Sequence, residues 1–182
     1  MSLKDITKDL HHAAEITQFA QTLLSGKISS DDYAKYLYQM LLVYGPIEAS
    51  CERQGFLQNL KGVERAHAIY QDFTELAGKD FYNYTWLPST VAYHLYLLDL
   101  IGDADRKHLV KAHMYVRHMG DLFGGQIIKK QVAHVSSGKF YDFKNVEELK
   151  TAIRAELTDD LGDEARVAFQ HAINIMRELN NE

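Results

Sequence analysis

The chain has 182 residues, 46% apolar and 25% charged, ordinary proportions for one globular domain with a buried core. Twenty Lys and Arg against 25 Asp and Glu leave a net charge of −5, which argues against a broad electrostatic grip on nucleic acid. A single cysteine, Cys51, excludes an intrachain disulfide and a multi-cysteine metal site, and no apolar run approaches the roughly 20 residues of a membrane span.

The amino-terminal MSLKDITKDLHHAAE is too polar for a secretory signal, so a soluble, cytoplasmic protein is expected. Apolar spacings are mostly three and four, and only two prolines interrupt them. Ile6, Leu10, Ala14, Phe19 and Leu23 fall along one side of residues 3–24, which predicts an amphipathic first helix ended by Gly26. Ser29 to Asp32 resembles a capping box opening a second helix to about Arg53, bent near Gly45 and Pro46. A third helix is expected over about 63–77, closed by Gly78, and residues 79–87 (KDFYNYTWL) read as an aromatic connection. Pro88 suits the first turn of a fourth helix ending near Ile101 and Gly102. A fifth runs from Asp103 to about Val135, a sixth is capped by Asn145 with Glu148, and a seventh runs from Asp163 to near Leu179. With no alternating strand pattern, internal repeat or long linker, the expectation is a single all-α domain over residues 1–182, a compact helical bundle.

The fifth helix holds an unusual stretch, YVRHMGDLFGGQIIKK at 115–130. Gly120, Gly124 and Gly125 each cost about 1 kcal/mol relative to alanine inside a helix. At about 100° per residue, Gly120 and Gly124 lie about 40° apart on one strip, one turn from each other. Backbone bared in this way serves either a close helix crossing or a flat, rigid ligand lying on the main chain. Asp121 beside Gly120 favours the ligand, because a carboxylate there needs water or partners. Arg117, four residues earlier, shares its side of the helix and could hold it.

Of nine histidines, most are expected to be structural or solvent-exposed, and a lone helical histidine is usually a surface or capped residue, but His11 has the most informative company. Lys4 precedes it on nearly the same face, about 10 Å along the axis, and Glu15 follows one turn later. An imidazole with a cation two turns away fits a cofactor with a metal at its centre and carboxylates at its edge. Haem answers that description. His12 points about 100° away and is the weaker candidate.

These two stretches resemble the haem oxygenase family. GDLFGGQIIKK (Gly120–Lys130) is similar to the family's distal-helix signature G-D-L-S-G-G-Q, and DLHHAAE (Asp9–Glu15) to its proximal segment V-H-x-x-A-E. The resemblance implies an all-α fold with haem between an amino-terminal helix and a kinked distal helix. It implies His11 as the iron ligand, with Glu15 beside it. Gly120 and Gly124 would pack on the distal haem face, with Gly125 completing the cluster. Asp121 would anchor a distal water network supported by Arg117 and Tyr44. Lys4 and Tyr115 would meet haem propionates, as would the K-x-x-x-R pair Lys150 and Arg154, whose spacing puts both cations on one face. Phe123 departs from the pattern, standing where the family usually has serine; it would enlarge an apolar contact or crowd the distal water. The chain stops soon after its seventh helix, like the family's short bacterial, plastid or phage-type members.

The implied activity is oxidative cleavage of haem b, both substrate and cofactor, to biliverdin, carbon monoxide and Fe(II). O2 and externally supplied electrons are consumed, and Asp121 supplies protons through water. His118 lies about 200–240° around the helix from the two glycines, so no distal imidazole is expected. Implied partners are haem, a ferredoxin-type reductant and a downstream bilin reductase, with no nucleic acid and no membrane. Lys111, Lys129 and Lys130 are either a docking patch for the reductant or a solvated helix face. Three rivals stand beside this reading. One is a non-catalytic haem carrier. Another is a di-iron bundle built on Glu64 and His67, although only one Glu-x-x-His pair is present. The third is a cofactor-free interaction module suggested by 11 tyrosines and 8 phenylalanines.

Overall fold

Two threonines break the expected first helix into three. The computed structural model describes residues 2–181 and places α1 at Leu3–Ile6, α2 at Lys8–Glu15 and α3 at Gln18–Leu24. Thr7 donates its hydroxyl to the Leu3 carbonyl. Thr17 donates to the Ala14 carbonyl and accepts from the Ala20 amide, ending one helix and capping the next. Such local side-chain bonds compete with the helical ladder, and the apolar spacing alone does not register them.

The remaining elements follow the expected order with shifted edges. α4 is Ser30–Arg53, with the Ser29 hydroxyl accepting from the Asp32 amide at its start. It runs helical through Pro46. Proline has no N–H, so the Leu42 carbonyl one turn back loses its helical donor. His94, from a neighbouring helix, donates Nδ1–H to that carbonyl at 2.8 Å. α5 is Ala66–Ala77 and starts later than predicted. No local residue caps it; the Glu48 carboxylate from α4 accepts the Arg65 and Ala66 amides at 2.6 and 3.1 Å. The aromatic connection opens as a 3-10 turn, and Trp86 stacks on Tyr38 at 3.8 Å.

α6 is Pro88–Gly102, with Pro88 in its first turn. The predicted fifth helix loses its first residues to a turn and a short 3-10 segment, because Asp103 accepts the Asp105 and Arg106 amides. α7 is then Val110–Gln131. α8 is Val146–Ala155, with Asn145 at the capping position but making no side-chain cap bond. α9 is Gly162–Glu178.

The described residues contain helices and turns but no strand. α4 is central, packing against α5, α6 and α7. The main core includes the fully buried Tyr33, Tyr44, Tyr93 and Tyr141 among aliphatic side chains. A smaller cluster joins Leu3 and Ala14 to Ala112, Val116, Ala165, Ala168, Phe169 and Ile173. α2 and α7 thus both pack on α9 rather than broadly on each other. No described helix is long and apolar enough to cross a membrane.

Candidate functional site

The three glycines of α7 do two different jobs. A β-carbon at Gly120 or Gly124 would meet nothing within 4 Å, so the strip they form opens on free space and not on a crossing helix. A β-carbon at Gly125 would fall 2.6 Å from Cδ1 of Tyr141. The third glycine is there for that ring, which corrects its expected place in the ligand-facing cluster.

On the inner side of α7, Asp121 is buried and accepts a 2.6 Å hydrogen bond from the Tyr44 hydroxyl. Burial holds its carboxyl above the ordinary carboxylate value, against the pull of Arg117 and His118. Arg117 makes no ion pair with Asp121, contrary to the simple one-turn expectation. Its Nη2 points at Sδ of Met40, and its guanidinium lies over the Tyr44 ring, 5.4 Å from the centroid. Tyr44 therefore stands between the two, bonded to one and stacked under the other. Arg117 Nε and the hydroxyl of Tyr33 are buried with no protein partner. Buried polar atoms without partners call for ordered water or a ligand.

His118 is fully buried elsewhere on α7, with Nε2 2.9 Å from Glu48 Oε1. The carboxylate that caps α5 thus also ties α4 to α7, a link the sequence reading missed. A second unforeseen polar group lies between α6, α7 and α9. The Tyr93 hydroxyl and Glu164 flank the two ring nitrogens of His113 at 2.7 Å each, and Tyr96 donates to the same carboxylate. Burial lowers the His113 proton affinity, so the neutral ring donates Nε2–H to Glu164 and accepts from Tyr93 at Nδ1. Only the tertiary fold brings these residues together.

His11 lies exposed on α2 with Nδ1 3.6 Å from Glu15 Oε1, which leaves Nε2 without a protein partner among the described residues. Its ring stands edge-on to Phe169 of α9, centroids 5.9 Å apart. Arg166 of α9 fastens α2 by two bonds to the Asp9 carboxylate, at 2.7 and 2.8 Å, and α1 by one to the Ile6 carbonyl. The Asp9 carboxyl is thereby held down to about 2.

Lys150 and Arg154 extend from α8 to one place on α7. Lys150 Nζ sits 4.0 Å from the Phe123 ring centroid, and Arg154 Cζ 5.6 Å from it. Phe123 therefore projects outward to these cations and does not crowd Asp121. Tyr115 lies near both Thr7 and Arg154, each of which acts on its hydroxyl. Lys4 is exposed on α1. Two of the three lysines weighed as a docking patch are engaged: Lys111 pairs with Glu156 at 3.1 Å and Lys129 with Asp142 at 2.7 Å. Glu64 and His67 are exposed at the start of α5, and no described group of three His, Cys, Asp or Glu is arranged to hold a metal ion.

The family model for heme oxygenase matches residues 1–178. The chain belongs to the haem oxygenase family. Among its relatives, heme oxygenase 2 of Macaca fascicularis is 28% identical over 98% of this chain and 64% of its own length. The heme oxygenase of the alga Porphyra purpurea is 27% identical over 98% of this chain and 85% of its own. Two solved structures share the fold. Heme oxygenase-1 of Synechocystis sp. PCC6803, determined in complex with heme, superposes with a TM-score of 0.84 at 23% identity over 98% of this chain and 90% of that one. The heme oxygenase of Leptospira interrogans gives 0.82 at 25% identity over 98% and 100%. Haem degradation is the function of this family. Features of this member suit a haem: an unencumbered glycine strip on α7, a buried Arg117 Nε and Tyr33 hydroxyl without protein partners, an exposed imidazole on α2 with Nε2 unengaged, and two cations gathered beside Phe123.

Proposed function

We propose that this haem oxygenase family member cleaves haem b oxidatively, with haem as substrate and cofactor. The observation that carries this reading is the open Gly120–Gly124 strip set directly beside the buried Tyr44–Asp121 pair. Haem, when bound, supplies both the iron that handles O2 and the ring that is opened to biliverdin, carbon monoxide and Fe(II).

The chain's own residues hold the ligand and manage protons. His11 offers Nε2 to the iron, while Glu15 near Nδ1 favours the ring orientation that presents it. The glycine strip lets the porphyrin approach the main chain of α7. Asp121, with its proton affinity raised by burial, takes up and hands on protons through water at its carboxylate, while Tyr44 orients it by donating a hydrogen bond. Lys4, Tyr115, Lys150 and Arg154 receive the propionates. Electrons come from an external donor of the ferredoxin type. Lys130 is the one of the three weighed lysines to which no ion pair is assigned. The bilin passes to a reductase, and the reaction takes place in the cytoplasm.

A non-catalytic haem carrier needs the imidazole and the cations but not a buried, proton-holding carboxyl beside bare backbone. Hemin titration followed by aerobic incubation with ascorbate separates the two. The enzyme loses its Soret band and yields biliverdin on chromatography, whereas a carrier keeps the band. His11→Ala is expected to abolish the histidine–iron signal; an unchanged spectrum rejects that ligand.

A further inference from the structure

We propose that Phe123 is a positioning residue, whose exposed ring holds Lys150 and Arg154 over one edge of the glycine strip and so sets the in-plane orientation of haem. The inference rests on the haem reading above.

Phe123 keeps 54% of its surface exposed, on a helix with abundant buried apolar positions. Solvent exposure gives a phenylalanine no advantage, yet here two cations from α8 converge on it. Lys150 Nζ is 4.0 Å from the ring centroid and Arg154 Cζ 5.6 Å. Lys150 is only 9% exposed although charged. Phe123 follows Gly120 by three positions and adjoins Gly124, so its ring borders the open strip. The ammonium also donates to Glu147 at 2.8 Å, a carboxylate that is 83% exposed and so open to water and to exchange.

The chemistry explains why an aromatic face suits this task. Lysine and arginine lose much rotamer freedom when fixed in one place. A π face holds both near it by attraction to the ring's negative quadrupole. Unlike a carboxylate, the ring itself takes up neither their charge nor an N–H donor, so the donors not engaged by Glu147 remain available to an incoming anion. A porphyrin core is close to four-fold symmetric, so in-plane rotations are told apart mainly by the substituents at its edge. Two cations fixed at one edge discriminate among those rotations. A serine at position 123 offers no such platform.

The test compares Phe123→Leu, which keeps apolar bulk but removes the π face, with Phe123→Tyr, which keeps the face. The side chain is exposed, so both variants are expected to fold. In the haem-free protein, ring-current shifts of the Lys150 side-chain protons are expected in wild type and Phe123→Tyr and lost in Phe123→Leu. With hemin and cyanide, proton NMR of the haem methyls should show a second orientation in Phe123→Leu alone. Bilin chromatography after turnover should show an altered isomer composition. Hemin affinity should fall only about two- to five-fold. In a Lys150→Ala/Arg154→Ala background, Phe123→Leu should add nothing further. If Phe123→Leu keeps the wild-type orientation and isomer composition while wild type binds and cleaves hemin, the proposal fails and the haem reading stands. If wild type takes up no hemin, both fail.

Discussion

Asp121 is enclosed beside Tyr44, and enclosure outweighs nearby Arg117 and His118 in setting its proton affinity. In the unfolded chain the carboxyl ionises near its ordinary 3.8. Between that value and the higher folded one, the native protein retains the extra proton. Stability therefore falls as pH rises through this window and stays reduced above it. Asp121→Asn is expected to raise the melting temperature at pH 7, with the advantage vanishing below about 3.8. The same substitution should cut biliverdin yield about a hundredfold or more. Thermal melts at two pH values and a turnover assay check both outcomes. A variant that melts lower than wild type at pH 7 contradicts the claim that burial dominates. Stability given up at a site that works is a recurring trade in proteins.

At the scale of elements, α7 shows how one residue type can serve opposite purposes. Gly120→Ala and Gly124→Ala meet no neighbour, so each should stabilise the haem-free protein by about 1 kcal/mol through helix propensity. Both should weaken hemin binding by placing a methyl on the strip. Gly125→Ala drives a β-carbon to 2.6 Å from the Tyr141 ring and should cost about 1–3 kcal/mol. Denaturant melts and hemin titrations of the three variants test the division. Equal destabilisation by all three would mean that the strip is not open. α4 offers a second case, where Pro46 strands the Leu42 carbonyl and His94 satisfies it. His94→Ala should cost about 1–2 kcal/mol. The loss should shrink in a Pro46→Ala background, where the helix regains its own N–H. A double-mutant cycle with no coupling would break this account.

For the whole molecule, the helices that carry His11 and the glycine strip share one foundation. α2 and α7 both stand on α9, and Arg166 fastens the first of them through Asp9. A haem held as proposed, by His11 and the glycine strip, would tie α2 to α7. At about one hundred times its Kd, hemin should add about 2.7 kcal/mol to the stability of the fold. Amide exchange should slow in α2 as well as in α7, as measured by hydrogen–deuterium exchange with and without hemin. Protection limited to α7 would mean that α2 does not participate.

Spacing of apolar residues determined the all-helical class and the order of the long helices, because a 3.6-residue period is a local property of the chain. The bared backbone at Gly120 and Gly124 and the need of Asp121 for partners were legible for a similar reason: each departs from what an ordinary helix surface requires. Helix ends were less legible, since Thr7 and Thr17 act through single hydroxyl bonds and α5 is capped by Glu48 from another helix. The partition of the glycines, Tyr44 standing between Asp121 and Arg117, and two cations converging on Phe123 were decided only by the tertiary structure. Each depends on which residues from distant segments meet, and that is set by packing around α4 and α9, not by any neighbour in the chain.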